Sequence, residues 1–481
     1  MGKQLSIIIM SGLILSAGFI ASGSAKKTEL KPELRDRLFN TGWRFVRDSI
    51  QGAEVPGFDD SDWMTVNLPH DYSMMDLPGG DRPDQIGPFS RKSPGNGNST
   101  GHVIGGTGWY RKNFMLDKKD AGKTVILKFD GLYMESEVWV NGKKAGIHKN
   151  GYTPFWFDIT SLLNTPGRTN VIAVKVDNPG RNSRWYSGSG IYRDVHLIVA
   201  PPVHVAPWGV QVTTPEITPG KAVAEIKITA RNKGERYAPA FVGVVVKDKY
   251  GKVSASSGKK IEMPAGSETV TTMKLDIRDP LLWSPESPDL YNAVVTVDAG
   301  KKSVDVYSVK FGIRSLEFSA EKGFLLNGKA TELKGGCLHH DNGLLGAAAF
   351  GRAEERRVEL MKANGFNAIR CAHNPPSEAF LDACDRIGIM VIDEFTDMWD
   401  WHKNPQDYSR FFNEWWKKDL TGMILRDRNH PGIIMWSIGN EIHAREDSTR
   451  VRISRQLAAY VRELDNTRPV TQAVTGVFYP N

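Results

Sequence analysis

Cysteine is scarce: the 481 residues hold three, Cys337, Cys371 and Cys384. Three thiols cannot all pair with one another, and no Cys-x-x-Cys spacing occurs. Neither a disulfide framework nor a thiolate metal site is therefore expected. Cys337 and Cys371 fall on segments read as strands, where buried inert thiols are expected. Blocks of like charge are missing too. The formal charge is +7 and the pI is near 9.0, but the charges are interspersed. Lys3, Lys26 and Lys27 add to the total near the start of the chain. Such a pattern describes a solvated surface and argues against a nucleic-acid partner. Gly105-Gly106-Thr107-Gly108 lacks the spacing of a phosphate loop, so no nucleotide cofactor is expected.

What the chain does have is length and turn residues. At 481 residues it exceeds one ordinary core, and roughly two to four domains are expected. The 47 Gly and 26 Pro suit a turn-rich β architecture. Residues 1–25 read as a secretory signal: Lys3, an apolar run from Leu5 to Ile20, then small residues to Ala25. The run is short for a spanning helix, and no Cys follows it to carry a lipid. A secreted or periplasmic protein is expected, off the membrane once the leader is removed.

Residues 26–200 read as a jelly-roll β-sandwich. Val125, Leu127 and Phe129 alternate with Ile126, Lys128 and Asp130, and Asn141-Gly142 marks a tight turn between strands. Six tryptophans (Trp43, Trp63, Trp109, Trp139, Trp156 and Trp185) enrich the segment. Leu77 to Gly108 reads as a long surface loop, with Asn98-Ser99-Thr100 fitting a glycosylation acceptor. Pro201-Pro202 marks a boundary. Residues 201–315 then alternate again, as at Ala224, Ile226, Ile228 and Ala230, and read as an immunoglobulin-like sandwich.

Across residues 316–481 strands alternate with helices. Strands are expected at Thr331–Cys337, Ala368–Cys371, Ile389–Phe395, Ile433–Ile438 and Val470–Val474. Helices are expected at Arg352–Asn364, Ser377–Ile387, Phe411–Arg426 and Thr449–Leu464. This is the pattern of a (β/α)₈ TIM barrel, but an incomplete one. Five strands fit where eight are needed, and about 165 residues stand where about 250 are usual.

The most informative stretch runs from Ile433 to Glu441, where an apolar strand ends in Asn440-Glu441. Parallel sheets of this kind do their chemistry at strand ends. A carboxyl held against an apolar strand end is expected to have a raised pKa and to serve as a general acid. With the preceding Arg428-Asn429-His430-Pro431, and with Asn367 to Ser377, the chain resembles glycoside hydrolase family 2. The resemblance runs from about Leu38 to Asn481, and further pieces such as Asp397-Met398-Trp399 and Arg184 to Arg193 resemble a subgroup rich in β-galactosidases.

The resemblance implies a retaining exo-β-glycosidase acting on terminal β-galactosides of an oligosaccharide or glycoconjugate. β-Glucuronidase, β-mannosidase and a non-catalytic carbohydrate-associated fragment are the alternatives. It makes Glu441 the acid/base and places the nucleophile beyond residue 481. Asn440 would bond a sugar 2-hydroxyl, and Arg370 and His373 would hold the active-site network and a sugar hydroxyl. Asp397 would grip hydroxyls and Trp399 would stack on a ring face. Asp393 and Glu394 either join them or support Arg370; both readings stay open. Arg184 or Trp185 would border the site. A carboxylate–histidine pattern that binds magnesium in some β-galactosidases is absent after the third strand, so no metal and no cofactor are expected. Whether copies form a homo-oligomer is open.

Overall fold

The computed structural model describes residues 35–76, 103–300, 303–443 and 447–474. The expected leader, the Asn98-Ser99-Thr100 acceptor and most of the loop from Leu77 to Gly108 lie outside the described residues.

Two antiparallel sheets come first. One has four strands, in the order Asp36–Leu38, Val195–Ala200, Thr124–Phe129, Phe155–Asp158. The other has six, in the order Met64–Val66, Trp43–Val46, Gly106–Met115, Thr169–Asn178, Glu135–Val140, Lys143–His148. Val125, Leu127 and Phe129 share a core with Trp43, Phe45 and Tyr110. Asn141 and Gly142, at φ 52° and 76°, turn the last hairpin as expected of that pair. The alternating pattern hides one fact. Ile126 and Lys128, on the other face of the same strand, are buried as well. Lys128 Nζ lies 3.2 Å from Asp130 and 3.5 Å from Glu378, a helix residue of the parallel-sheet region. This strand is thus covered on both faces, and its outer face docks on the parallel-sheet region through Glu378.

Beyond Pro201 and Pro202 a second sandwich pairs three strands (Val203–Thr218, Lys221–Asn232, Glu268–Arg278) with four (Val253–Ile261, Ala240–Lys247, Tyr291–Asp298, Val304–Phe311). Its core is aliphatic, built from residues such as Ile226, Ile228, Val242, Val244 and Val295. Part of the motif before Ile433 serves this sandwich. Asn429 accepts from Val212 N and donates to Val210 O, both at 2.8 Å. Arg314 reaches back to donate to Ile433 O at 2.8 Å. A small antiparallel sheet (Leu316–Ser319, Gly323–Leu326, Lys329–Ala330) follows.

The remaining strands form one open parallel sheet, β1 (Gly335–Leu338), β2 (Ala368–Cys371), β3 (Met390–Glu394), β4 (Ile433–Asn440) and β5 (Val470–Ala473), adjacent in chain order. The helices between them are α1 (Gly351–Ala363), α2 (Glu378–Ile387), α3 (Ser409–Asp427) and α4 (Asp447–Leu464). All four strand pairings are parallel, and no closed barrel is formed among the described residues. Helix α2 shows why these boundaries were readable. The Ser377 side chain caps it by accepting from Phe380 N, and Gly388 ends it in the left-handed region at φ 83°. The sheet's core joins Ile369, Val391, Trp399, Ile433, Trp436 and Ile438 to Leu420, Ile424 and Val461 of the helices. Among the described residues no helix is long and apolar enough to cross a membrane.

Candidate active site

Strand β4 runs two residues past its expected end, so Asn440 is its last residue and Glu441 is the first outside it. Asn440 pairs with Ala473 of β5, and Glu441 N donates to Ala473 O at 3.0 Å. Glu441 then turns at φ 43°, a conformation side-chain-bearing residues seldom adopt and one concentrated at functional sites. The turn separates two neighbours of opposite fate. Asn440 is 2 % exposed, whereas the Glu441 side chain is 51 % exposed. The apolar burial expected for this carboxyl is therefore absent. Its nearest charged partner is a cation, Arg184 Nη1 at 3.7 Å.

Beneath Asn440 lies a buried ion-pair network. Glu394, fully buried at the end of β3, receives Arg370 Nε at 3.0 Å and Nη2 at 2.8 and 2.7 Å. Ser437 Oγ donates to the same carboxylate at 2.6 Å, and His373 Nδ1 lies 2.8 Å from it. With Nδ1–H donating to Glu394, the neutral ring presents Nε2 as an acceptor. Arg370 Nη2 also donates to Asn440 Oδ1 at 2.8 Å. Glu394 is thus the partner of Arg370, and its saturated oxygens leave nothing for a sugar. Asp393 points to the other face of β3. Burial pushes its carboxyl well above the usual range, with the Asp427 charge adding to the effect. It supports neither Arg370 nor a ligand.

A second hub is Asp397, 2 % exposed. Arg184 grips both its oxygens, Nε at 2.9 Å and Nη2 at 2.6 Å. Lys403 Nζ and Asn440 Nδ2 each donate to Oδ1 at 2.7 Å. Burial, the largest single influence, pushes the Asp397 carboxyl up, but the pull of Arg184, Lys403 and Asn440 leaves it below its usual value. Two loops are pinned to make this meeting. Asp407 accepts from Lys403 N and Asn404 N at 2.7 and 2.8 Å, fixing the segment that carries Lys403. Gln406 and Arg181 exchange two hydrogen bonds, at 3.0 and 2.8 Å, clipping the Arg184 loop of the first sandwich to that segment. The grip expected of Asp397 on sugar hydroxyls is narrowed by burial and by these bonds: Oδ1 accepts three of them and Oδ2 one, from Arg184 Nε.

Two further expectations fail. Trp399 is completely buried and its Nε1 donates to Ile438 O at 2.9 Å, so no ring face is open to a sugar. It supports the end of β4 from below. Cys337 is exposed, while Cys371 and Cys384 are buried. The Cys337 thiol lies 3.8 Å from Arg370 Nη1, on the side of the sheet that carries the site. The aromatic surface that does border the site is Trp185, half-buried, with His339 and His373 ring centroids 4.9 and 5.5 Å away. Neither His339 nor Lys403 was a sequence candidate. The doublet His339-His340 after β1 was the available signal for the first; nothing local signals the second.

Asn182, Ser183 and Trp185 also line a cavity of about 30 Å³ with His373, Asp397 and Tyr408. Among the described residues two sets of three side chains approach metal-ligand spacing, Asp130-Asp194-His196 and Asp382-Asp385-His430. Each already has an ammonium partner, Lys128 at 3.2 Å and Lys310 at 3.5 Å, and neither set includes a residue of the Glu441 network.

A half-exposed carboxyl at the end of a parallel strand, backed by a buried, hydrogen-bonded amide and arginine network, is the layout of an α/β enzyme's strand-end site. The comparisons then specify the kind. Three family models match in succession: glycosyl hydrolases family 2, sugar binding domain, at residues 96–201; glycosyl hydrolases family 2 at 203–314; and glycosyl hydrolases family 2, TIM barrel domain, at 319–477. The chain belongs to glycoside hydrolase family 2. It is 41 % identical over 466 residues to the β-galactosidase BoGH2A of Bacteroides ovatus, covering 90 % of this chain and 53 % of that protein. A putative β-glucuronidase of Formosa agariphila is 37 % identical over 438 residues, covering 90 % of this chain and 39 % of that protein. A crystal structure of a family 2 member from Bacteroides cellulosilyticus superposes with a TM-score of 0.87 at 44 % identity, over 92 % of this chain and 56 % of that one. The chain spans about half the length of the first of these curated relatives.

Proposed function

We propose that this chain is the acid/base-bearing part of an exported retaining exo-β-glycosidase that removes terminal β-galactosyl units. The observation that carries the reading is the carboxyl of Glu441, half-exposed at the end of β4 where Glu394 and Asp397 beside it are buried and held in hydrogen bonds. In this reading Glu441 protonates the departing glycosidic oxygen and later takes a proton from water. Asn440 has one amide N–H left beyond its bond to Asp397, and that group meets the sugar 2-hydroxyl. His373 offers Nε2 to another hydroxyl, and Trp185 replaces Trp399 as the aromatic wall.

A retaining mechanism needs a second carboxylate about 5 Å from the first. Glu394 and Asp397 are the nearby acids, and each has both oxygens engaged. As the family resemblance implies, the nucleophile in this reading is a carboxylate on a later strand of a (β/α)₈ barrel, beyond residue 481. The geometry of β5 supports this. It pairs with β4 alone, and Val470 and Thr471 line an open cleft beside Ile438 and Ala458. Among the described residues its other edge is thus unpaired, and an unpaired strand edge is a template for another strand.

The galactoside assignment is tested on the full-length protein with a panel of chromogenic β-glycosides. The β-galactoside is expected to be turned over best; a galactoside that ranks last overturns the assignment. The 37 % identity to a putative β-glucuronidase favours a glucuronide as the second reading.

A further inference from the structure

Lysine is seldom buried without a partner, yet the Lys403 side chain is 3 % exposed while its neighbour His402 faces solvent. Asp407 fixes the segment by accepting from Lys403 N and Asn404 N. From there the ammonium reaches two oxygens, Asp397 Oδ1 at 2.7 Å and the Asn440 carbonyl at 2.8 Å. Arg184 already forks onto Asp397, so neutralising that acid does not account for the second contact. The second oxygen belongs to the peptide that joins Asn440 to Glu441. Asn440 turns both backbone groups toward β3: its N–H donates to Thr396 O at 3.1 Å, and its C=O meets Lys403 Nζ. Strand β3 has ended at Glu394, and a buried carbonyl needs a donor; the lysine supplies it. The N–H of the same peptide is that of Glu441, which donates the other way, to Ala473 O at 3.0 Å. One peptide plane is thus held at both ends. The next torsion is the φ of 43° at Glu441, a costly conformation that persists where the surroundings impose it.

We propose that Lys403 is a positioning residue for Glu441: by holding the Asn440–Glu441 peptide, it keeps the turn that points the Glu441 carboxyl out of the sheet. The proposal rests on the reading of Glu441 as the acid/base. Lys403 touches no reacting atom and acts through the backbone alone. Without its ammonium the Asn440 carbonyl loses a donor and the peptide is free to rotate. Glu441 then relaxes toward the negative φ that side-chain-bearing residues favour. Its carboxyl keeps its chemistry but leaves the place from which it reaches the departing oxygen, and a general acid works only within hydrogen-bond reach.

The test is Lys403→Met in the full-length protein, a change that keeps most of the stem and removes the donor. kcat/KM, which reports the proton-donating first step, is measured on two β-galactosides, one with an alkyl and one with a dinitrophenyl leaving group. We expect a loss of about ten- to a hundred-fold on the alkyl substrate, the scale of a small misplacement of a catalytic group. The dinitrophenyl substrate, whose leaving group needs little protonation, should lose less than about three-fold. In the Glu441→Gln background Lys403→Met should cost less than about three-fold more on the alkyl substrate, since no acid is left to place. A purely structural lysine would instead lower both substrates alike and add fully to Glu441→Gln; either result, or no loss at all, overturns the proposal. If Lys403→Met does not fold by far-UV circular dichroism, Asp397→Asn/Lys403→Met, which leaves no carboxylate facing a missing cation, is compared with Asp397→Asn. The same split between the two substrates then supports the proposal, and its absence overturns it. Failure of the catalytic reading shows separately, as full activity of Glu441→Gln on the alkyl galactoside, and takes the proposal with it.

Discussion

Arg370→Met strands a charge, and the cost can be worked from the contacts. Glu394 is fully buried and takes three bonds of 2.7–3.0 Å from Arg370. Removing one partner of a buried ion pair costs about 3–5 kcal/mol, mostly because the other charge is left uncompensated. Two features soften this. Ser437 Oγ and His373 Nδ1 still face the carboxylate at 2.6 and 2.8 Å, and the Arg370 side chain is 24 % exposed. We expect a loss of about 2–4 kcal/mol in the local stability of β3 and β4. Amide hydrogen exchange followed by mass spectrometry reads it directly. Peptides covering Met390–Glu394 and Ile433–Asn440 should exchange about thirty-fold to several-hundred-fold faster. Adding Glu394→Gln should recover part of the loss, since no charge is then stranded. Acceleration below about five-fold, or no recovery in the double variant, refutes the reasoning.

Asp419 predicts a pH dependence. Buried on α3, it accepts from Thr153 at 3.1 Å and from the Tyr408 hydroxyl, and burial is the main cause that pushes its carboxyl up to about 7. The folded chain therefore keeps this proton where the unfolded chain has lost it, and stability drains away as pH rises from about 4 to about 7. Asp419→Asn should gain on wild type across that window, by up to roughly 4 kcal/mol, and then level off; melting temperatures that track each other from pH 4 to 8 would contradict this. The thiols offer a simpler count. Ellman's reagent should find one fast-reacting thiol in the native chain, Cys337, and three after unfolding, since Cys371 and Cys384 are buried and burial pushes both thiols up.

The sequence was most legible where one local rule decides the structure. Ser377 and Gly388 bound α2 because a cap and a left-handed stop are local, and the apolar run from Ile433 is a buried strand whatever surrounds it. The Asn327-Gly328 pair, at φ 54° and 75°, was the same kind of signal, and it marks the small hairpin that the reading passed over. The site was legible only in its residue types. Asp397, Met398 and Trp399 look alike as loop residues, yet the turn after β3 sends Asp397 to the hub and Trp399 under β4. Arg184 and Asp397 meet across 213 positions, and no periodicity reports such a contact. Cys337 read as core because strand residues of a closed barrel are covered on both sides; β1 here belongs to an open sheet.

The account stands on Glu441 as the proton donor. The most direct measurement is the turnover of Glu441→Gln in the full-length protein on two β-galactosides, one with a poor alkyl leaving group and one with an activated dinitrophenyl group. Loss of general acid catalysis is worth about 10²–10⁴-fold. We predict a loss of that size in kcat/KM on the alkyl substrate and a far smaller one on the activated substrate, whose leaving group needs little protonation. Equal losses on both, or full activity on the alkyl galactoside, would contradict the assignment of Glu441 as the acid/base.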